Sequence, residues 1–242
     1  MTKLLQAFLV VPGLAGAYFL AAPGGITHRV RHLLLGAVGL LASAGWWVAI
    51  VAATPSGSRP YVGGSSADNV LELALGYNGV GRLTGREAGM QISSAGSGMN
   101  RLFGDAMATQ ISWLVPAALL ILAGLLWLAR QRPWHDPQWG PLVLWAGWLV
   151  VTDGVFSFAQ GIVHPYYTLA LAPAIAAIIG IGGSRMWDAR ATRESRWGLV
   201  ACSLVTVVWS WRWRARSGDW CWWLRPAILG VGLTAALLIA GH

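Results

Sequence analysis

Arg31-His-Leu-Leu-Leu-Gly-Ala-Val-Gly-Leu-Leu-Ala-Ser-Ala-Gly-Trp-Trp-Val-Ala-Ile-Val-Ala-Ala53 carries no acid, no proline and no basic residue beyond its first two positions. A hydrocarbon core about 30 Å thick takes roughly 20 residues of helix to cross, and this run supplies them without interruption. Only a helix satisfies its own backbone polar groups in that medium. Working outward, the same test selects segments 4–22, 111–129, 141–160, 166–183, 197–211 and 224–241. The fold class that follows is all-α: a polytopic transmembrane helix bundle of about seven spans. It forms one membrane domain over 1–242, with one long loop at 54–110. The span at 197–211 is the shortest, ending near Trp211.

Bulk composition agrees. The chain is 56% hydrophobic and 11% charged, against about 25% charged residues in a soluble domain, and its mean hydropathy is +0.56. Sixteen tryptophans suit a protein with two membrane–water interfaces. The net charge of +8 reflects topology and attraction to anionic membrane lipid. With no base-reading motif present, nucleic acid is excluded as a partner. Cys202 and Cys221 stand alone, without the spacing of a metal site or disulfide, so no metal ligands are expected. Met1-Thr-Lys-Leu-Leu-Gln6 leads straight into a span, with no secretory signal expected.

The connectors 27–32, 130–132 and 184–196 together hold eight arginines. If the spans alternate, these connectors share one side, which the positive-inside rule makes cytoplasmic. The 54–110 loop and Gly161-Ile-Val-His-Pro-Tyr-Tyr167 then share the extracytoplasmic side. Arg212, Arg214, Arg216 and Arg225 run against this pattern and leave the last hairpin the least constrained. Pro12, Pro116 and Pro173 fall inside apolar spans, where kinks are expected.

A loop this long in a membrane chain is expected to have a function. Arg59-Pro-Tyr61 reads as an extended exit, and Gly63-Gly64-Ser65-Ser66 as a turn. Asp68 or Ser66 is placed to cap a short interfacial helix, Asn69 to Leu75, which Gly76-Tyr77-Asn78-Gly79 ends as a glycine-rich cap. Tyr77, Asn78 and Arg82, which follow that helix, are the chemistry expected around a sugar or phosphate headgroup; a loop that merely packs over the bundle is the competing reading. On the same side, His164 can donate to a phosphate or move a proton, and Tyr166 and Tyr167 can stack on a sugar or anchor at the interface. Asp153, mid-span, is a functional candidate by its depth alone, with a bundle-facing hydrogen-bonded acid near Thr152 and Ser157 as the alternative.

Ser43-Ala-Gly-Trp-Trp-Val-Ala-Ile50, Arg59-Pro-Tyr-Val-Gly-Gly-Ser65, Leu75-Gly-Tyr-Asn-Gly79, Gln110-Ile-Ser-Trp-Leu-Val-Pro116, Gly161-Ile-Val-His-Pro-Tyr-Tyr-Thr168 and Leu169-Ala-Leu-Ala-Pro-Ala174 occur in this order. Together they resemble the membrane region of bacterial, chiefly actinobacterial, mannosyltransferase-like proteins. These belong to the dolichyl-phosphate-mannose-protein mannosyltransferase and aminoarabinose-transferase-like superfamily (GT-C type, glycosyltransferase 39-like), and the likeness runs from about residue 2 to 240. The resemblance implies a transferase that takes a sugar from a polyprenyl-phosphate donor and passes it to an extracytoplasmic acceptor: a protein, a lipid or a wall glycan. It implies that Lys3 contacts the donor phosphate, that His164, Tyr166 and Tyr167 line the rim of the site, and that Tyr61, Asn69, Glu72, Tyr77, Asn78 and Arg82 match the family's extracytoplasmic loop, which supplies further substrate-binding candidates. It also implies a catalytic acid in an earlier extracytoplasmic loop, which this chain lacks. The chain is therefore expected to be a central to C-terminal fragment, inactive alone, with a separately encoded N-terminal half as a candidate partner. Glu72 and Asp68 are the candidates for a substitute base in the loop. Sugar, acceptor and any divalent-metal requirement stay open. The alternatives are a transporter or flippase-like protein using Asp153, and a non-catalytic membrane partner subunit.

Overall fold

The computed structural model describes residues 6–66, 68–87, 90–91, 96–104, 107–134, 136–160, 163–214 and 221–241, with the backbone alone at 77, 78, 80, 82, 86, 87, 90 and 91. A 3-10 turn, Gln6–Val10, leads into α1 (Val11–Ala21), followed by α2 (Ile26–Ala53). The loop then holds α3 (Val70–Glu72), a π-helical stretch Leu73–Val80, and α4 (Gly81–Thr84). Two short antiparallel strands come next, β1 (Arg86–Glu87) and β2 (Met90–Gln91), with Arg86 opposite Gln91. After a π turn, Ala108–Ser112, come α5 (Val115–Ala129) and α6 (Trp139–Phe158). A 3-10 turn, Pro165–Leu171, opens α7 (Ala172–Asp188), and α8 (Arg193–Arg214) and α9 (Leu224–Ala240) close the chain.

The protein is an all-α membrane helix bundle, with the β1–β2 hairpin as a local feature of the loop. Among the described residues, three helical segments are long and apolar enough to cross a membrane: Ile26–Ala53, Trp139–Phe158 and Pro165–Asp188. Gln6–Ala21, Val115–Ala129 and Leu224–Ala240 are apolar but shorter. α8 runs beyond 197–211 at both ends, by turns that carry Arg193, Arg196, Arg212 and Arg214.

The three prolines inside apolar spans act differently from expectation. Pro12, Pro116 and Pro173 each fall in the first turn of an α-helix, and each of those helices follows a 3-10 or π turn. Proline lacks an N–H, and the first turn of a helix needs none there. These spans are therefore built as a tighter or wider turn followed by a regular helix, instead of one helix bent midway.

The core forms where α5, α6 and α7 meet. Ile121, Leu122 and Leu125 of α5 pack with Leu149 and Phe156 of α6 and Ala174, Ile175 and Ile178 of α7. Glycine sets the closest approaches. A Cβ at Gly13 would lie 2.6 Å from the Leu144 carbonyl oxygen, and one at Gly147 would lie 2.8 Å from Gly13 Cα. So α1 crosses α6 backbone to backbone, the contact that small residues allow in membrane bundles. Gly182 and Gly232 likewise admit the side chains of Ile121 and Val207. By contrast α2 is the least enclosed helix: only 6% of its most apolar window is buried, which leaves Leu34, Leu35, Val38 and Leu41 facing the surroundings. In a hydrocarbon medium that exposure carries no hydrophobic cost.

Arginines finish several helices. The last carbonyls of a helix have no internal partner, and a cation there also meets the negative end of the dipole. Arg29 donates to the carbonyls of Phe19, at 2.7 Å, and Leu20 at the end of α1. Arg59 donates to those of Ala52 and Thr54 at the end of α2. Arg130 and Arg190 each donate to the carbonyl of a tryptophan three residues back and lie over that same ring.

Candidate functional site

The loop residues form two local units. The first is a turn docked on the end of α2, where Val62 and Val70 pack against Val51. Arg59 leaves α2 in an extended conformation, as the following proline dictates. Gly63-Gly64 turn the chain, Gly64 at φ 91°, and Ser65 closes the turn onto the Val62 carbonyl. Asp68 takes a left-handed φ of 48°, which Asp tolerates better than most residues, and its Oδ1 accepts from the Val62 N–H at 2.7 Å.

The cap of this turn is neither Asp68 nor Ser66. Asn69 is the capping residue: its Oδ1 accepts from the N–H groups of Leu71 and Glu72. Glu72, three residues on, reaches back so that both carboxylate oxygens meet Ser66, from its N–H at 3.1 Å and its hydroxyl at 2.7 Å. This is a variant of the capping box, with the acid satisfying a residue ahead of the cap. Glu72 and Asp68, the two substitute bases, thus both hold the turn together.

The helix also does not stop at Gly76. It continues as a π-helix to Val80 and then as α4, with its one irregular residue at Gly79 (φ −121°, ψ −128°). π-Helical turns occur often at functional sites because they re-aim side chains. Tyr77, Asn78 and Arg82 lie on this segment; their side chains fall outside the described residues, as does Lys3.

The second unit sits at the exit of α6. His164 precedes the 3-10 turn Pro165–Leu171 and stacks on Tyr166 at 5.4 Å between ring centroids, with an interplanar angle of 15°. Tyr167 meets both rings edge-on, His164 at 5.3 Å and Tyr166 at 4.8 Å. These three side chains form one aromatic group with an inner and an outer member. Tyr167 is buried against Phe156, with 8% of its surface exposed, whereas Tyr166 is 59% exposed. Proline at 165 fixes the start of the tight turn, and Thr168 Oγ1 donates to the Pro165 carbonyl, which holds the turn closed.

Backbone contacts tie the loop to the end of α6 that leads into this unit. The Gln160 N–H donates to the Leu83 carbonyl at 3.3 Å, and the Gly98 N–H donates to the Ser157 carbonyl at 2.7 Å. Arg101 donates to the carbonyls of Phe156 and Ala159 at the C-terminal end of α6. Desolvation there lowers the Arg101 pKa from its usual value, yet arginine stays charged at neutral pH. The residues after α4 therefore lie at the same end of the bundle as His164, with the π-helical segment between that point and the α2 turn. Arg101 escaped the sequence reading. Its signal was a lone arginine beside Leu102, a residue that is 1% exposed.

Tyr61 stands apart, 88% exposed, its ring over Gly63. Asp153 is half-buried within α6 and has no hydrogen-bond or ion-pair partner among the described residues. Its neighbours Thr152 and Ser157 are buried, and their hydroxyls likewise find no partner among the described residues. Among the described residues no three His, Cys, Asp or Glu side chains group to hold a metal ion.

The arrangement offers an imidazole and a phenol at an exposed rim, backed by a buried aromatic, with a polar loop tied to the end of α6 nearby. No protein-family model matches the chain, and no solved structure matches it. Two Bacillus subtilis (strain 168) proteins named "Putative mannosyltransferase" are similar to it. YycA is 29% identical over 327 residues, covering 98% of this chain and 47% of YycA. YkcB is 29% identical over 272 residues, covering 75% of this chain and 38% of YkcB. The chain spans less than half the length of the curated relatives it matches. The likeness is thus to proteins named as mannosyltransferases, each matched over less than half of its length.

Proposed function

We propose that the chain is the sugar-donor part of a membrane mannosyltransferase. In this reading it takes mannose from a polyprenyl-phosphate carrier and presents it to an acceptor on the extracytoplasmic side of a bacterial plasma membrane. The observation that carries the reading is the joining of the polar loop to the C-terminal end of α6, at the end of the bundle where the His164–Tyr166–Tyr167 group begins. His164 donates to the donor phosphate, the exposed face of Tyr166 stacks on the sugar, and Tyr167 fixes the position of both. Lys3 is the further phosphate contact, and Tyr61, Asn69, Tyr77, Asn78 and Arg82 belong to the loop wall. The acceptor hydroxyl needs a positioned base. With Asp68 and Glu72 engaged in the turn, neither is assigned that role.

The test is photolabelling. The purified chain in nanodiscs is irradiated with a photoactivatable polyprenyl-phosphate mannose, and the labelled peptides are read by mass spectrometry. Label in 59–84 and 163–168, reduced by His164→Ala and unchanged by Glu72→Gln, is the expected result. Absence of label there, or label confined to α8 and α9, overturns the proposal. Sugar transfer by this chain that Glu72→Gln abolishes overturns the exclusion of Glu72 as the base.

A further inference from the structure

α6 is Trp139–Phe158, which at 1.5 Å per residue separates its two ends by about 30 Å. The His164 group lies beyond its C-terminal end. At its N-terminal end, a cleft of about 310 Å³ opens between α5, α6 and α7. Its walls are apolar, with Leu125 from α5, Leu142 and Trp145 from α6 and Ile178 from α7. Its polar lining is Arg132, Gln138 and Arg185. No carboxylate lines it among the described residues.

Each helix contributes one stripe to this cleft. Ile178, Ile181 and Arg185 succeed one another along one face of α7, a length of about 10 Å at helical rise. The slot is therefore elongated along the helix axes, apolar through its depth and cationic at one end. Its cations are available. Arg185 is exposed, and Arg132 gives one N–H to Asp136 at 3.1 Å, which leaves four of its five donors. Gln138 adds two more amide donors.

A free phosphate would satisfy the arginines and leave the apolar walls unfilled. A neutral lipid tail would fill the walls and leave the Arg185 guanidinium unmatched, with Arg132 holding Asp136 alone. We propose that this cleft binds one acidic phospholipid, with its phosphate between Arg132 and Arg185 and an acyl chain along Leu125, Leu142 and Ile178. The site lies at the opposite end of α6 from the donor site proposed above and does not depend on it.

Native mass spectrometry of the full chain tests this, after detergent release from mixed vesicles of dioleoylphosphatidylglycerol and dioleoylphosphatidylcholine in equal amounts. One retained phosphatidylglycerol, with little phosphatidylcholine, is expected. Arg132→Gln and Arg185→Gln should each reduce that retention about tenfold, the effect of losing charge-assisted hydrogen bonds. Arg185→Lys should restore part of it, and Leu142→Trp should displace the chain. Arg130→Gln removes the same charge from a guanidinium over Trp127, outside the cleft, and should leave retention unchanged. Gel filtration identifies any variant that fails to fold, and the other arginine then carries the test. Equal retention of both lipids, or retention unaffected by removing both arginines, overturns the proposal. Inorganic phosphate bound with no phospholipid retained reassigns the cleft to free phosphate and overturns it as well.

Discussion

The Arg101 guanidinium donates to the Phe156 carbonyl oxygen at 3.1 Å, joining positions 55 residues apart in the chain. Arg101 sits in the loop and Phe156 near the end of α6, so this one contact both caps a helix and holds the loop to the end of α6 that leads into the candidate site. A second donation from the same guanidinium reaches the Ala159 carbonyl.

Arg101→Ala is expected to lower stability by about 2 kcal/mol, the range for hydrogen bonds made by a charged group. The loss should concentrate in the loop. Limited proteolysis of the protein in detergent should then cut within 96–104 before any site in α6, and thermal unfolding should shift downward. Unchanged proteolysis would mean that the Gly98 and Gln160 backbone contacts suffice to hold the loop.

Glycine-to-alanine changes should have opposite signs at two helical positions. At Gly36 a Cβ meets nothing within 4 Å, so Gly36→Ala should stabilise by up to about 1 kcal/mol through helix propensity. At Gly13 the added carbon lies 2.6 Å from a backbone oxygen of α6. Gly13→Ala must push α1 away and should destabilise by about 1–3 kcal/mol, as overpacking does. Parallel unfolding curves of the two variants in one detergent decide the matter.

The aromatic group should separate into a structural and a binding member. Tyr167 is buried beside Phe156, and Tyr167→Ala should cost about 3–5 kcal/mol, as large-to-small changes at buried aromatics do. Tyr166 is largely exposed, so Tyr166→Ala should leave the unfolding midpoint nearly unchanged while weakening polyprenyl-phosphate mannose binding. Equal losses of stability in both variants would remove the case for Tyr166 as a contact.

Asn69→Ala should remove the cap of α3, at a cost of about 1 kcal/mol, whereas Asn69→Asp should be tolerated because the acceptor oxygen remains. Glu72→Ala should loosen the same turn by freeing the Ser66 N–H and hydroxyl. Hydrogen exchange at the amides of Ser66, Leu71 and Glu72 is the direct readout: faster exchange at Leu71 and Glu72 in the first variant, and at Ser66 in the last.

Much of the bundle was legible in the sequence because bilayer thickness and backbone hydrogen bonding leave few options for runs such as 31–53. The extended exit at Arg59-Pro60 and the grouping of His164 with its tyrosines were also local enough to read. The cap was misassigned because Ser66, Asp68 and Asn69 are all competent capping residues, and only the path of the chain selects among them. The glycines at 76 and 79 suggested a helix end, yet packing carried the helix on in a wider form. The prolines at 12, 116 and 173 gave no indication of which residue would begin a new helix.

The sequence by itself determined a membrane protein made of helices, with a polar loop and an aromatic rim, because apolar length and proline placement act within a few residues. Tertiary structure alone decided that Arg101 holds that loop to α6, that Gly13 meets Gly147, and that Arg132 and Arg185 share one cleft. Each of these joins residues far apart in the chain. Their contacts depend on how helices cross and which carbonyls are left without partners, which follows from the packed arrangement and not from local pattern.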